Sequence, residues 1–139
     1  MELFESYTSA YWAIWVIVAT LVAQTLIASV VKAKQPGAIP GKISDSLSHS
    51  SFVFRSHRTY QNSLENTPLM LATAFLALFC RADATWTAVF VWAFAIARLV
   101  HMTLYYVIAT EKNPSPRSYF YLIGVVSNLG LLGLVAFSI

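Results

Sequence analysis

The chain has 139 residues, of which 58% are hydrophobic and 11% charged, with a formal net charge of +3. A soluble domain carries about 25% charged residues, so this composition excludes a protein that faces water on all sides. The length suits one domain, residues 1–139, and the basic excess is too small to mark a nucleic-acid partner.

The first element runs from about 11–31 without a single charge. At 1.5 Å per residue such a run crosses a hydrocarbon core of about 30 Å. Tyr7, Tyr11, Trp12 and Trp15 suit one membrane interface, and Lys32 and Lys34 mark the other. Glu2 and Glu5 stand where a cleaved signal peptide would carry positive charge, and the apolar run is too long for one. The stretch Pro36-Gly37-Ala38-Ile39-Pro40-Gly41 reads as a loop, and the polar tail Asp45 to Ser51 is suited to cap the next helix.

The second span is expected over 52–80. Only its C-terminal half, from Pro68, is plainly apolar, because Arg55, His57, Arg58, Gln61, Asn62, Glu65 and Asn66 occupy the other half. The one cysteine, Cys80, forms no internal disulfide and reads as packing. After a short connection at Arg81 and Asp83, the third span covers 86–109, apolar except for Arg98, His101 and Tyr105. Residues Thr110 to Arg117, with Pro114 and Pro116, read as a turn. The fourth span, 118–138, is uncharged and carries Gly124, Gly130 and Gly133 for close helix contacts.

These elements define an all-α integral membrane protein, a bundle of four transmembrane helices. The loops after the first and third spans hold Lys32, Lys34, Lys42, Lys112 and Arg117, whereas the opposite side has Arg81 beside Glu2, Glu5 and Asp83. By the positive-inside rule both loops are cytoplasmic and both termini lie on the far side.

Two polar stripes break the apolar pattern. On a helix of 100° per residue, Arg55, Arg58, Asn62 and Glu65 fall within an arc of about 80°. Arg98, His101 and Tyr105 share one face of the third helix in the same way. An arginine at the bilayer centre costs about 2.5–3.5 kcal/mol even on the lenient insertion scale. The stripes therefore face each other, another subunit or a hydrated cavity. Arg55 or Arg58 could pair with Glu65, but four arginines face that single acid within the spans, so an anionic ligand is the natural missing partner. Three scattered histidines lack metal-ligand spacing, so no metal is implied.

The segment Arg55 to Pro68, RSHRTYQNSLENTP, resembles the membrane-associated proteins in eicosanoid and glutathione metabolism. That family includes microsomal glutathione transferases and membrane prostaglandin E synthase, and its hallmark residues stand here as Arg58, Asn62, Glu65 and Pro68. ARLVHMTLYY supplies Arg98, His101 and Tyr105, and the start of the fourth span supplies Arg117, Ser118 and Tyr121. The resemblance implies a homotrimer that binds glutathione between subunits near the cytoplasmic side.

It further implies that Arg58, Arg98 and Arg117 meet the carboxylates or the thiolate of glutathione, and that Glu65 meets its ammonium. Asn62, Tyr105 and Tyr121 would hydrogen-bond its amides or thiol, with His101 an orienting group or a structural histidine. Arg117 is expected to stabilise the thiolate with Ser118 as donor, since a nearby cation lowers a thiol pKa. The expected activity is a glutathione-dependent transferase or peroxidase acting on hydrophobic electrophiles or lipid hydroperoxides. Gln61 stands where prostaglandin synthase-like members carry a basic residue, so prostaglandin synthesis is not implied. Asn66 likewise replaces a tyrosine of leukotriene synthase-like members. The alternative is a non-catalytic lipid-binding scaffold on the same fold; a channel or transporter lacks support in any broken or re-entrant helix. The short loops and lack of a retention signal favour a bacterial inner membrane.

Overall fold

The computed structural model describes residues 5–139. Glu2, counted above in the signal and orientation readings, lies outside them. Among the described residues there are four long α-helices: α1 Thr8–Ala33, α2 Phe52–Phe79, α3 Ala84–Val107 and α4 Pro116–Ala136. The fold is the expected all-α integral membrane bundle. By length and composition α1, α3 and α4 can each cross a membrane. The 28-residue α2 is also long enough, at about 42 Å by helical rise, but its polar first half keeps it from meeting the same apolar standard.

Each helix buries a stripe of small residues. In α1 the buried positions are Ala10, Ala13, Ile17, Thr20, Gln24 and Ala28, spaced by three or four. Trp12, Trp15, Val22 and Leu26 point outward, exposed by more than half, as lipid-facing side chains should. In α2 the buried face includes Ser56, Thr59, Ser63, Thr67, Met70, Ala74 and Ala77. Such side chains let helices approach closely, which is the main source of attraction where lipid competes for every apolar surface. The hydroxyls of Thr59 and Thr73 donate to the carbonyls of Arg55 and Leu69, both at 2.8 Å. They are thereby satisfied without a partner from another helix.

The connections show why the helices stop where they do. Arg81 takes the left-handed conformation (φ 55°) after α2, and Asp83 caps α3 by accepting from the Trp86 N–H at 2.9 Å. Ser51 holds the cap position of α2, yet no side chain of the polar tail makes a cap bond there. The third helix ends at Val107 because Ile108 turns extended. Pro116 and Arg117, expected in a turn, form instead the first residues of α4. Proline suits this position, since the N–H it lacks would have no helical acceptor. This shift places Arg117 inside a helical first turn.

The most extensive helix contact is between α3 and α4. Gly130 is where it needs a glycine, because a Cβ there would lie 2.8 Å from Phe90 Cζ. Gly124 makes ordinary contact with Phe94, and Gly133 faces open space, so only one of the three glycines marks a tight approach.

The apolar core occupies one end of the bundle. Ala13 and Ile17 of α1, Met70, Ala74 and Ala77 of α2, Val91, Phe94 and Ala95 of α3, and Leu131 and Val135 of α4 meet there. The buried Tyr7 hydroxyl donates to the Ala82 carbonyl, and Trp92 Nε1 donates to Ser9 Oγ at 3.1 Å. Both bonds tie the start of α1 to the α2–α3 hairpin.

Candidate functional site

The opposite end, where α1 and α3 finish and α2 and α4 begin, has a different interior. Its buried residues include Gln24, Ser56, Thr59, Ser63, Arg98, His101 and Arg117. Arg98 is 3% exposed and Arg117 6% exposed.

The α3 stripe points inward and carries Arg98 to α2. Arg98 Nη2 donates to Asn62 Oδ1 at 2.7 Å and to Ser63 Oγ at 3.0 Å. The charge is thus solvated by neutral oxygens alone, and Arg98 Nε has no partner. Asn62 accepts with its carbonyl oxygen, leaving its amide protons to donate elsewhere.

Arg117 is held by the loop that precedes it. Its Nη2 donates to the Thr110 carbonyl at 3.0 Å and its Nε to Ser115 Oγ at 3.3 Å, while Nη1 is buried without a partner. The guanidinium carbon lies 4.0 Å from the centroid of the Tyr105 ring, a close cation–π contact. A cation in the first turn of a helix opposes the helix dipole, so this placement does not help fold the chain. Ser118, one residue on, accepts from the Ser115 N–H at 3.1 Å. That bond uses a lone pair and leaves the hydroxyl proton free to donate. His101 lies in electrostatic range of both arginines, and its Nδ1 is buried without a partner.

The α2 stripe divides. Asn62 joins Arg98, but Arg58 Nη1 turns to Gln61 Oε1 at 3.1 Å. Arg55 donates to the carbonyls of His49 (2.7 Å) and Ser50 (3.0 Å), a backbone-supporting role. Glu65 is exposed and no arginine pairs with it; the ion pair found among the described residues is His49–Glu111. Tyr121, 41% exposed, lies one helical turn beyond Arg117 and in electrostatic range of Arg98. Arg98, His101, Tyr105, Arg117 and Asn62 are therefore gathered in one chain, whereas Arg58 and Glu65 are left at its margin.

Sequence reasoning missed a loop network above this site. His49 Nδ1 and backbone N–H contact the two oxygens of Glu111 at 2.7 and 3.0 Å, and His49 Nε2 lies 3.0 Å from Tyr105 Oη. No periodicity could reveal it, because both residues lie in irregular segments far apart in the chain. These bonds from the His49 backbone and ring hold the Glu111 carboxyl below its usual range. Two cavities of about 480 and 520 Å³ lie between the first loop, the end of α1 and the start of α2. Lys32 lines both, and none of Asn62, Arg98 or Arg117 lines either.

Fold and interior together define a class: a four-helix integral membrane protein with buried arginines at one end that form no ion pair among the described residues, Glu111 reaching Arg117 only through its field. A family model, the MAPEG family, matches residues 9–137. The chain belongs to that family, and the match covers nearly its whole length. No match was found among curated proteins or among solved structures.

Proposed function

We propose that this chain is a glutathione-dependent membrane transferase or peroxidase acting on hydrophobic electrophiles or lipid hydroperoxides. One observation carries the reading: Arg98 and Arg117 are both buried, each with an unpartnered N–H, and among the described residues neither forms an ion pair with a carboxylate. Buried charges are ordinarily paired, since an isolated one is costly to remove from water. An anion with several acceptor oxygens fits the free donors, and glutathione carries two carboxylates and an ionisable thiol. Its ammonium finds a counterpart in the exposed Glu65.

Bound glutathione supplies a thiol whose ionised form attacks an electrophile or reduces a hydroperoxide. Arg117, fixed by Ser115, Thr110 and the Tyr105 ring, holds a permanent positive charge and a free Nη1 donor for that thiolate. Ser118 donates its free hydroxyl proton to the same atom. Arg98 and Asn62 bind the peptide part, and His101, Tyr105, Tyr121 and Arg58 complete the polar lining. Withdrawal of water from around Arg117 strengthens its field at the sulfur.

Glu65 and the half-buried Arg58 and Gln61 line a part of α2 that lipid would reject. A second copy of the chain covers them in a homotrimer, completing the site between subunits. The basic residues of the first and third loops set this end at the cytoplasmic face, and the short connections suit a bacterial inner membrane. The competing reading, a lipid-binding scaffold, draws on the fact that Ser118 already caps α4.

Titrating glutathione into the detergent-purified protein, with ultraviolet absorbance of the thiolate as readout, separates the two. Saturable binding with a thiolate signal near neutral pH is expected. Absence of both at millimolar glutathione leaves the scaffold.

A further inference from the structure

We infer that His49, reaching from the first loop, is a positioning residue that fixes Tyr105 beneath Arg117 and so aims the arginine at the reacting sulfur. For catalysis this rests on the proposed glutathione activity; the geometry itself does not. His49 stands between two hydrogen-bonding partners. A carboxylate only accepts, so Nδ1, 2.7 Å from Glu111 Oε2, carries the proton. On the other side Nε2 lies 3.0 Å from Tyr105 Oη, a hydroxyl able to donate to it or accept from it. That bond fixes the torsion of a phenol whose face lies 4.0 Å from the Arg117 guanidinium carbon.

His49 is itself anchored on every side. Glu111 receives its backbone N–H at 3.0 Å, Arg55 donates to its carbonyl at 2.7 Å, and Phe54 packs edge-on at 4.9 Å between centroids. The charged and titratable groups around it are Glu111 from the second of these loops, Arg55 from α2, and Tyr105 with Arg117 across it. An exposed loop histidine needs none of this for solubility. Its side chain is 19% exposed and its two ring nitrogens are both engaged. The series of contacts Glu111–His49–Tyr105–Arg117 links both loops to the start of α4, so one side chain transmits loop position to the active cation.

The test follows the Arg117 side chain by proton–nitrogen NMR of arginine-labelled protein without ligand. The Arg117 Hε signal, assigned by its loss in Arg117→Lys, is expected upfield because of the Tyr105 ring current. Tyr105→Leu should return it to the free-arginine position. His49→Ala should remove at least half of that displacement, and His49→Gln, which retains an acceptor near Nε2, should recover part of it. Glu111→Gln, at an exposed site, should give a smaller change in the same direction. A displacement unchanged in His49→Ala overturns the inference, and so does a wild-type signal that Tyr105→Leu fails to move.

A second arm reads the thiolate at saturating glutathione. A rise of about one pK unit in the bound thiol, a tenfold loss of thiolate below it, is expected in His49→Ala. In a Tyr105→Phe background the same substitution should add nothing, since His49 acts through that hydroxyl. Full additivity overturns the inference. If wild-type protein shows no thiolate at all, the activity proposed above fails, while the NMR arm still decides whether His49 positions Arg117.

Discussion

The two ends of the bundle are made of the same four helices but follow opposite rules. At one end Met70, Ala74, Val91, Leu131 and Val135 fill the interior with apolar groups, and the polar bonds there serve to join elements, as Tyr7 does to Ala82. At the other, Arg98 and Arg117 are buried with unpartnered donors, and Arg117 also meets an adverse helix dipole. The first end is arranged to hold the fold together. The second gives up some of that stability, which is the usual mark of a site that awaits a ligand.

The sharpest way to break the contrast is Arg117→Ala. On the proposed activity it should lower turnover by about 10²–10³-fold, as loss of one preorganised stabilising donor does, with the thermal midpoint kept or raised. A variant that unfolds instead would make Arg117 a structural residue. At the apolar end, Met70→Ala removes a side chain with no exposure and should cost about 2–5 kcal/mol in stability. Denaturation in mixed micelles measures this, and glutathione affinity of the folded fraction should be unchanged.

Arg98→Met sharpens the comparison by its sign. Removing an uncompensated buried charge should stabilise the free protein by about 1–3 kcal/mol while glutathione binding is lost. Destabilisation like that of Met70→Ala would show that Asn62 and Ser63 are adequate partners for the charge. The smallest effect belongs to acid. The Glu111 carboxyl lies below its usual range, so its bonds to His49 contribute above the pKa of an unfolded glutamate and are lost as pH falls through the folded value. Removing that contribution with Glu111→Gln should flatten the acid limb of the thermal stability profile, and an unchanged limb would count against the loop network.

The helices were legible because charge-free runs and basic ends are written directly in the sequence. Their ends were displaced: α3 and α4 both begin two residues before the expected spans, α3 because Asp83 caps it and α4 because proline read as a loop signal is equally a helix start. Of the site, the α3 stripe was legible from spacing, because all three of its residues serve one interior. The α2 stripe was not, because a shared face does not say what each side chain reaches. Arg55 and Asn62 lie on one arc, yet one supports loop carbonyls and the other meets Arg98. His49 and Glu111 meet only through the fold, across a separation no local pattern spans.

The two loops at the polar end also differ in how they can change. The first closes on itself in short steps, with Ala38 bonded to Gln35, Lys42 to Ile39, Leu47 to Ser44 and Ser51 to Ser48 through backbone alone. The steps before Ser48 can be lengthened, shortened or replaced without disturbing the next, whereas the last one holds His49 against Glu111 and Tyr105. The connection before α4 has no such freedom, since Arg117 reaches back to Thr110 and Glu111 is taken by His49. Variation and engineered insertions therefore belong around Gly37 and Gly41, whose surroundings are open, while the shorter connection is constrained residue by residue.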